Sequence, residues 1–362
     1  MHCQRKHNNT FRFCPAVQQR GAALVVALLI FAVAAALMVG LQRDFTLHVQ
    51  RTANAFLQEQ AWQYLLGAED LAAIALRLDT EQDAAREQPR DDLTEIWAQE
   101  TTPYALDEGG WLAGQLEDLQ GRFNLNNLLV SDAGTAGGGP NGVAVATTGP
   151  RFSPAQRQFI RLLQVLEAAE ASKSLLSRQE AIALTEAICD FMDSDNEPRP
   201  QGAEAESYRS LTPAYYPANR PLASISELHA VKGMTEPVFR ALAPLVTVWP
   251  AAGSNLNVLT ATLPLMRTLV AGDSLEPLSQ SDGELLLQGR GQGDWDSIEA
   301  LLSLSIFTGQ DTTGVESLIT LHSDWFLLGA QVNIADRELR LYSVLERRQR
   351  KISTQYRSLG AL

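Results

Sequence analysis

Arg20-Gly21-Ala22-Ala23-Leu24-Val25-Val26-Ala27-Leu28-Leu29-Ile30 joins a short cationic leader to an unbroken apolar run. Arg5, Lys6, Arg12 and Arg20 lie in that leader, with no acid among them. From Ala22 to Leu41 twenty residues carry no charge. At about 1.5 Å rise per residue, a helix of that length crosses a hydrocarbon core of about 30 Å. The stretch therefore predicts a membrane span. The cationic leader predicts that the first residues stay in the cytoplasm and the remainder lies outside it. A secretory signal would have a shorter apolar core followed by a small-x-small cleavage site. Here the small residue, Gly21, stands before the apolar run. An uncleaved signal anchor is the plainer reading of the same segment.

Working outward, the helical pattern does not stop at Leu41. Phe45, Val49, Ala53, Phe56, Leu57, Ala61, Tyr64, Leu65, Ala68, Leu71, Ala72, Ala75 and Leu78 recur every three to four residues, and no proline interrupts Ala22 to Glu81. The spacing predicts one helix of about 55 residues, apolar all round at first and amphipathic later, with two helices broken near Gly40 as the alternative. The period then changes. Tyr104-Ala105-Leu106, the turn Asp107-Glu108-Gly109-Gly110 and Trp111 to Glu117 read as a hairpin. The chain turns helical from Phe123, then passes through a Gly-rich loop at 131–149. Helical patterns follow at Pro154 to Glu170, Ser177 to Phe191, Ser224 to Val231, Glu236 to Leu245, Ala261 to Val270 and Trp295 to Leu304. Gly314 to Leu321, Asp324 to Ile334 and Glu338 to Glu346 read as three strands. A single antiparallel sheet packed on the long helix, with a helical domain inserted into it, buries both strand blocks, in preference to three modules in series. The class is α+β. The expected divisions are a leader at 1–21, a membrane helix at 22–41, the amphipathic helix and first strands at 42–123, an inserted helical domain at 124–310 and the last strands at 311–362.

Composition narrows the function. Twenty-nine Lys and Arg against 42 Asp and Glu give −13, and without the four leader cations the charge is −17. Such a polyanion repels phosphate backbones, so nucleic acid is not an expected partner. Cys3 and Cys14 fall in the leader, leaving Cys189 with no internal disulfide partner. Stability outside the cytoplasm must then come from core burial or metal.

The order of basic residues, Gly21 and apolar run resembles the leader of type IV prepilins and pseudopilins, whose peptidase cuts after such a Gly. The likeness then narrows. Gln63-Tyr64-Leu65-Leu66-Gly67-Ala68-Glu69, Gly121-Arg122-Phe123-Asn124-Leu125-Asn126-Asn127-Leu128, Asp193-Ser194-Asp195 before Gly202-Ala203-Glu204, and Asn219-Arg220-Pro221-Leu222 running into Ser226-Glu227-Leu228 resemble the minor pseudopilin K family of type II secretion systems. The resemblance covers nearly the whole chain. It implies a pseudopilin fold with a large inserted all-helical domain, an inner-membrane anchor with the bulk in the periplasm, and cleavage between Gly21 and Ala22. N-methylation of Ala22 is plausible on the same ground. It further implies minor pseudopilins I and J, prepilin peptidase and the inner-membrane assembly platform as partners, with secreted substrates a further possibility. Prepilin-like subunits usually carry Glu at the fifth mature position; here Val26 stands there. Without that carboxylate a neighbour's buried ammonium stays unpaired, which costs several kcal/mol mid-filament and suits a subunit at the tip. The resemblance implies a role in initiating the pseudopilus and exporting folded proteins. The nearest alternative is a tip pilin of a type IV pilus.

Between Glu186 and Glu206 stand seven acids, Glu186, Asp190, Asp193, Asp195, Glu197, Glu204 and Glu206, against Arg199. Crowded carboxylates repel one another unless a hard cation joins them, and Ca²⁺ accepts oxygens from flexible loops of this kind. Asp193 and Asp195 at alternate positions can face one ion, while Pro198, Pro200 and Gly202 shape a return that brings Glu204 back. A solvated acidic loop is the alternative. The start resembles an EF-hand loop, but the Gly at its sixth position and the Glu at its twelfth are both read as missing, so the stretch is not taken as one. The family resemblance implies Ca²⁺, with Asp193, Asp195 and Glu204 ahead of Asp190, Glu197 and Glu206 as ligands. Cys189 reads as a core residue, since a hard ion has no use for a thiolate. Ser226 to Met234 looks like half of a helix-hairpin-helix and is expected to serve packing rather than DNA. No Ser or Cys stands in a nucleophile motif. A metal-dependent hydrolase built on the acidic loop is therefore the less favoured alternative, and no enzyme is expected.

Overall fold

Helix α1, Ala22–Asp83, runs 62 residues without a break, so nothing interrupts it at Gly40. The computed structural model describes residues 21–84, 86, 88–99, 101–107, 109–129, 151–167, 174–293, 295–335 and 337–360; the leader and the Gly-rich loop lie outside them. Residues up to Gln60 form one unit and those from Ala61 onward another. Among the described residues, α1 is the one helix long and apolar enough to cross a membrane, as a single-pass anchor requires. Its side chains up to Gln60 are almost all exposed. From Ala61 the buried positions Ala61, Leu65, Ala68, Ala72 and Leu76 recur at three to four residues and make one face.

After α1 come β1, Tyr104–Ala105, and β2, Trp111–Asp118. The chain then enters the helical region through β3, Phe123–Asn124, followed by α2, Pro154–Val165, and α3, Arg178–Met192. Next are α4, Ala205–Arg209, α5, Glu236–Leu242, β4, Val246–Thr247, and β5, Leu256–Asn257. The region closes with α6, Leu263–Met266, α7, Gln280–Gln292, α8, Ile298–Leu302, α9, Thr313–Glu316, and β6, Ile319–Thr320. Three long strands end the chain: β7, Trp325–Ile334, β8, Arg337–Arg348, and β9, Lys351–Leu359.

The main sheet has the order β1-β2-β7-β8-β9, all antiparallel, with Asp118 opposite Phe326 and Trp111 opposite Asn333. Strands on either side of the helical region are thus neighbours in one sheet. The insertion anticipated from the two strand blocks is the observed topology. Glu69 of α1 fastens the helix to this sheet by accepting from Ser343 Oγ (2.6 Å), Thr354 Oγ1 (2.7 Å) and Arg357 Nε (2.9 Å). These charge-assisted bonds hold its carboxyl down at about 2 against the upward push of burial.

Several expected elements differ. Gly314 to Leu321 is no strand of the main sheet. Val315, Ile319 and Leu321 belong to the helical region's core, and β6 pairs in parallel with β5. The third C-terminal strand is β9, whose Lys351, Ser353, Gln355 and Arg357 show no apolar alternation because it is an edge strand. Helix α7 also escaped the periodicity, since Gly283, Gly289 and Gly291 depress helix propensity. Packing explains Gly283: a Cβ there would stand 2.6 Å from Arg267 Cγ and 2.9 Å from Leu263 Cδ1. Phe123 opens a strand and then a 3₁₀ turn, Leu125–Leu129, in place of a helix. The three asparagines of that string bond to distant backbone instead. Asn124 Nδ2 donates to Pro250 O (2.9 Å), Asn126 Nδ2 to Val248 O (2.9 Å) and Asn127 Nδ2 to Ser254 O (2.8 Å), while Leu222 N donates back to Asn126 Oδ1 (2.8 Å). Two of the strings that carried the family resemblance are thereby tied together at the base of one core, in which Phe123 stacks on Phe159.

The half helix-hairpin-helix is a 3₁₀ turn, Ile225–Ala230, followed by α5. Its Leu228, Val231, Val238 and Leu242 are all core residues, which is a packing role.

Candidate metal centre

Helix α3 delivers the acidic loop. Ser177 and Glu180 form a capping box at its start, and Ala181, Leu184, Ile188 and Met192 bury one face in the core. The helix ends at Asp193, whose N–H still donates to Cys189 O (2.9 Å). An aspartate at that point crowds negative charge against the helix's carbonyl end, where a cation is favoured. Asp195 Oδ1 then accepts from Glu197 N (2.9 Å), and Gly202 N donates to Arg199 O (3.0 Å), turning the chain back. Gly202 is required here, because a Cβ would lie 1.8 Å from Asp190 Oδ2. Glu204 stands at the start of α4 without capping it through its side chain, and Tyr208 in α4 meets Phe191 edge-on at 5.7 Å, clamping the far side of the loop to α3.

This path brings Asp193, Asp195 and Glu204 together, with one oxygen of each within 4.8 Å of the others. Asp193 Oδ1 and both oxygens of Glu204 are buried and have no hydrogen-bond partner, although Glu204 is only 6% exposed. Burial raises the Asp193 carboxyl despite Arg199, and burial together with Asp190 and Asp193 raises that of Glu204. Orphaned buried carboxylate oxygens converging on one point are the donor set a hard divalent cation takes, so these residues fit Ca²⁺. Counted from Asp193, Glu204 is the twelfth residue, the place of the bidentate Glu in an EF-hand loop, which corrects the reading of that Glu as missing, while Pro198 does stand where the loop needs Gly.

The other candidates are placed differently. Asp190 is fully buried and spends both oxygens on Arg199, its Oδ2 accepting from the backbone N–H at 3.1 Å. Glu197 and Glu206 are exposed and stand outside the converging trio. Glu186 is engaged by Arg151 and by Gln201 N (2.7 Å). Cys189 is 1% exposed in the core, with its thiol pushed up to about 12 by burial. Also missed was Asn219, whose Oδ1 is buried without a partner and whose N–H ties its segment to α3 at Phe191 O (3.0 Å).

A second acidic group already has its cation. Asp79, Asp91 and Glu95 likewise gather oxygens within 4.8 Å, but Arg347 donates to Asp79 (2.8 Å) and Asp91 (2.6 Å), and all three of these side chains are buried. His322 Nδ1 stands 2.8 Å from Asp91. Beside this group, Asp118 accepts from Gln120 N (2.7 Å), Ser323 Oγ (2.7 Å) and Asn257 Nδ2 (3.0 Å), joining β2 to the helical region. At the N-terminal end, Gly21 precedes α1, Ala22 begins it, and Val26 lies in a first segment whose earliest carboxylate is Asp44.

A long apolar N-terminal helix, an antiparallel sheet beyond it and a helical insertion between adjacent strands define a pseudopilin-type subunit. Comparison with known proteins agrees. Residues 121–251, which include the acidic loop, match the family described as type II secretion system (T2SS), protein K. The type II secretion system protein K of Pseudomonas aeruginosa is 32% identical over 345 residues, covering 94% of this chain and 93% of that protein. That of Pectobacterium carotovorum is 30% identical over 351 residues, covering 95% and 97%. In Escherichia coli K12 a putative protein of the same name is 33% identical over 308 residues, 83% of each. The chain belongs to the type II secretion system protein K family. Its fold is shared with a solved chain of the GspK-GspI-GspJ complex from enterotoxigenic Escherichia coli, at a TM-score of 0.65 and 23% identity, over 86% of this chain and 100% of that one.

Proposed function

We propose that this chain is the tip subunit of a type II secretion pseudopilus, where it initiates assembly with the I and J minor pseudopilins and so supports export of folded proteins. The observation that carries the reading is the pairing of Val26 with the insertion between β2 and β7. A first helical segment without a carboxylate cannot neutralise a neighbour's terminal ammonium in an apolar filament core, and a bulky domain grafted onto the sheet obstructs a further layer of subunits. Both favour an end. Membership of the protein K family places the chain in the secretion system, and the solved chain that shares its fold comes from a complex with GspI and GspJ. A groove of about 210 Å³ between α1 and the first hairpin, lined by Leu71, Ala72, Ala75, Ile96, Tyr104 and Leu112, suits a partner's helix; its Leu71, Ile96 and Tyr104 are exposed. On this reading Gly21 is the site of prepilin-peptidase cleavage, the platform of the inner membrane receives α1, and the region beyond the membrane is periplasmic.

Within this role the acidic loop binds Ca²⁺ through Asp193, Asp195 and Glu204, while Asp190 stays paired with Arg199 and Glu197 and Glu206 lie outside the trio. Bound Ca²⁺ neutralises the carboxylates and fixes the loop against α3, which keeps the helical domain folded outside the cytoplasm.

Immunogold labelling of sheared pseudopili tests the tip position. A single terminal spot and about one copy per filament are expected, and label spread along the shaft would defeat the reading.

A further inference from the structure

Arg199 is the one cation among the seven carboxylates from Glu186 to Glu206. Its guanidinium bridges Asp190 Oδ1 and Asp193 Oδ2, and its backbone N–H holds Asp190 Oδ2. Asp190 is satisfied at both oxygens. Asp193 is divided: Oδ2 faces Arg199, while Oδ1 is buried without a partner, as are both oxygens of Glu204, and one oxygen each of Asp193, Asp195 and Glu204 converge within 4.8 Å. A cation held by those three carboxylates draws on the Asp193 charge that Arg199 already uses. The arginine is itself only half-buried, so it is not locked in place on every side as Asp190 is.

We propose that Arg199 is an internal counter-cation, which holds the loop closed without a divalent ion and competes with that ion for Asp193, thereby setting how tightly the loop takes Ca²⁺. This rests on the calcium reading above; what it adds is the sign of the arginine's effect. A residue that merely positions ligands would weaken binding when removed, whereas a competitor strengthens it. A unit positive charge about 6 Å from a divalent ion in water-like surroundings is worth about a factor of ten in affinity.

The test uses the full-length chain in detergent, stripped with chelator and titrated calorimetrically with Ca²⁺ alone. Arg199→Gln should bind about tenfold tighter than wild type, melt lower in chelator and regain the wild-type melting temperature at saturating Ca²⁺. Arg199→Lys, which keeps the charge, should bind within about threefold of wild type. If Arg199→Gln proves too unstable to strip, the rate at which chelator removes Ca²⁺ from the loaded chain decides, and it must be slower than in wild type. Equal or weaker binding by Arg199→Gln, with wild type binding normally, would overturn the competition and leave the calcium reading standing. No binding by wild type would overturn both.

Discussion

Asp79, Asp91 and Glu95 near the end of α1, and Asp193, Asp195 and Glu204 after α3, gather their oxygens equally closely, but the fold balances only the first group's charge from within. There Arg347, 2% exposed, reaches two of the acids, and His322 supports a third contact. After α3, Arg199 reaches one oxygen of Asp193 and none of Glu204, leaving three buried oxygens without partners. The difference teaches how to tell a structural ion pair from a ligand-seeking one. Carboxylate density is the same in both; what distinguishes them is whether the buried lone pairs are spent.

The comparison breaks most visibly at Arg347. Arg347→Met leaves two buried aspartates without their cation, and chemical denaturation should show a loss of about 3–5 kcal/mol that Ca²⁺ does not restore. Next comes the loop. Wild type should be stabilised by about 2.7 kcal/mol at Ca²⁺ one hundred times its Kd. Differential scanning calorimetry with and without chelator should record it, and Asp193→Ala with Asp195→Ala should erase the difference. A smaller effect belongs to pH. Burial alone would lower the His322 pKa, but Asp324 and Asp91 bond to the ring and raise it to about 9. A histidine raised on folding contributes fully below its ordinary pKa of about 6.5, and the contribution is lost as pH rises towards 9. Asp79, raised from 3.8 to about 8 by burial and by Glu95 and Asp91, favours the folded state while protonated, and that contribution also falls as pH rises towards 8, overlapping the lower part of the histidine window. Unfolding free energy should therefore fall across that window, and His322→Gln should flatten part of the slope. Smallest is Cys189→Ala. It should cost about 1 kcal/mol of stability and leave Ca²⁺ affinity unchanged, because its sulfur lies in the core.

One side of this contrast was legible beforehand, and the other side was not, for a physical reason. Asp193, Asp195 and Glu204 stand out because acids crowd one short segment around Pro198, Pro200 and Gly202. Arg347, by contrast, lies 256 residues from its partner Asp91, and no local pattern relates them. The long helix and the hairpin could be read because a single period runs through each. Strand β9 could not, since an edge strand buries too little to show alternation, and α7 could not, since three glycines depress its helix propensity, of which Gly283 serves close packing. The division of Asp193 between Arg199 and an empty direction is a matter of side-chain geometry, which spacing does not encode.

Because β2 and β7 lie side by side, the chain leaves the sheet at Asp118 and re-enters it opposite, at Phe326. The two ends of the insertion therefore share one doorway, and the sheet's own register does not depend on what is threaded through it. An ancestral hairpin could have accepted the helical region as a cassette, lengthening a turn without rewriting any strand. What is not modular is the lock at that doorway, where Asp118 accepts from Asn257 and Ser323 together. Swapping in a different cassette would demand new donors for Asp118, and for Asp91, which accepts from Ser323 N beside it.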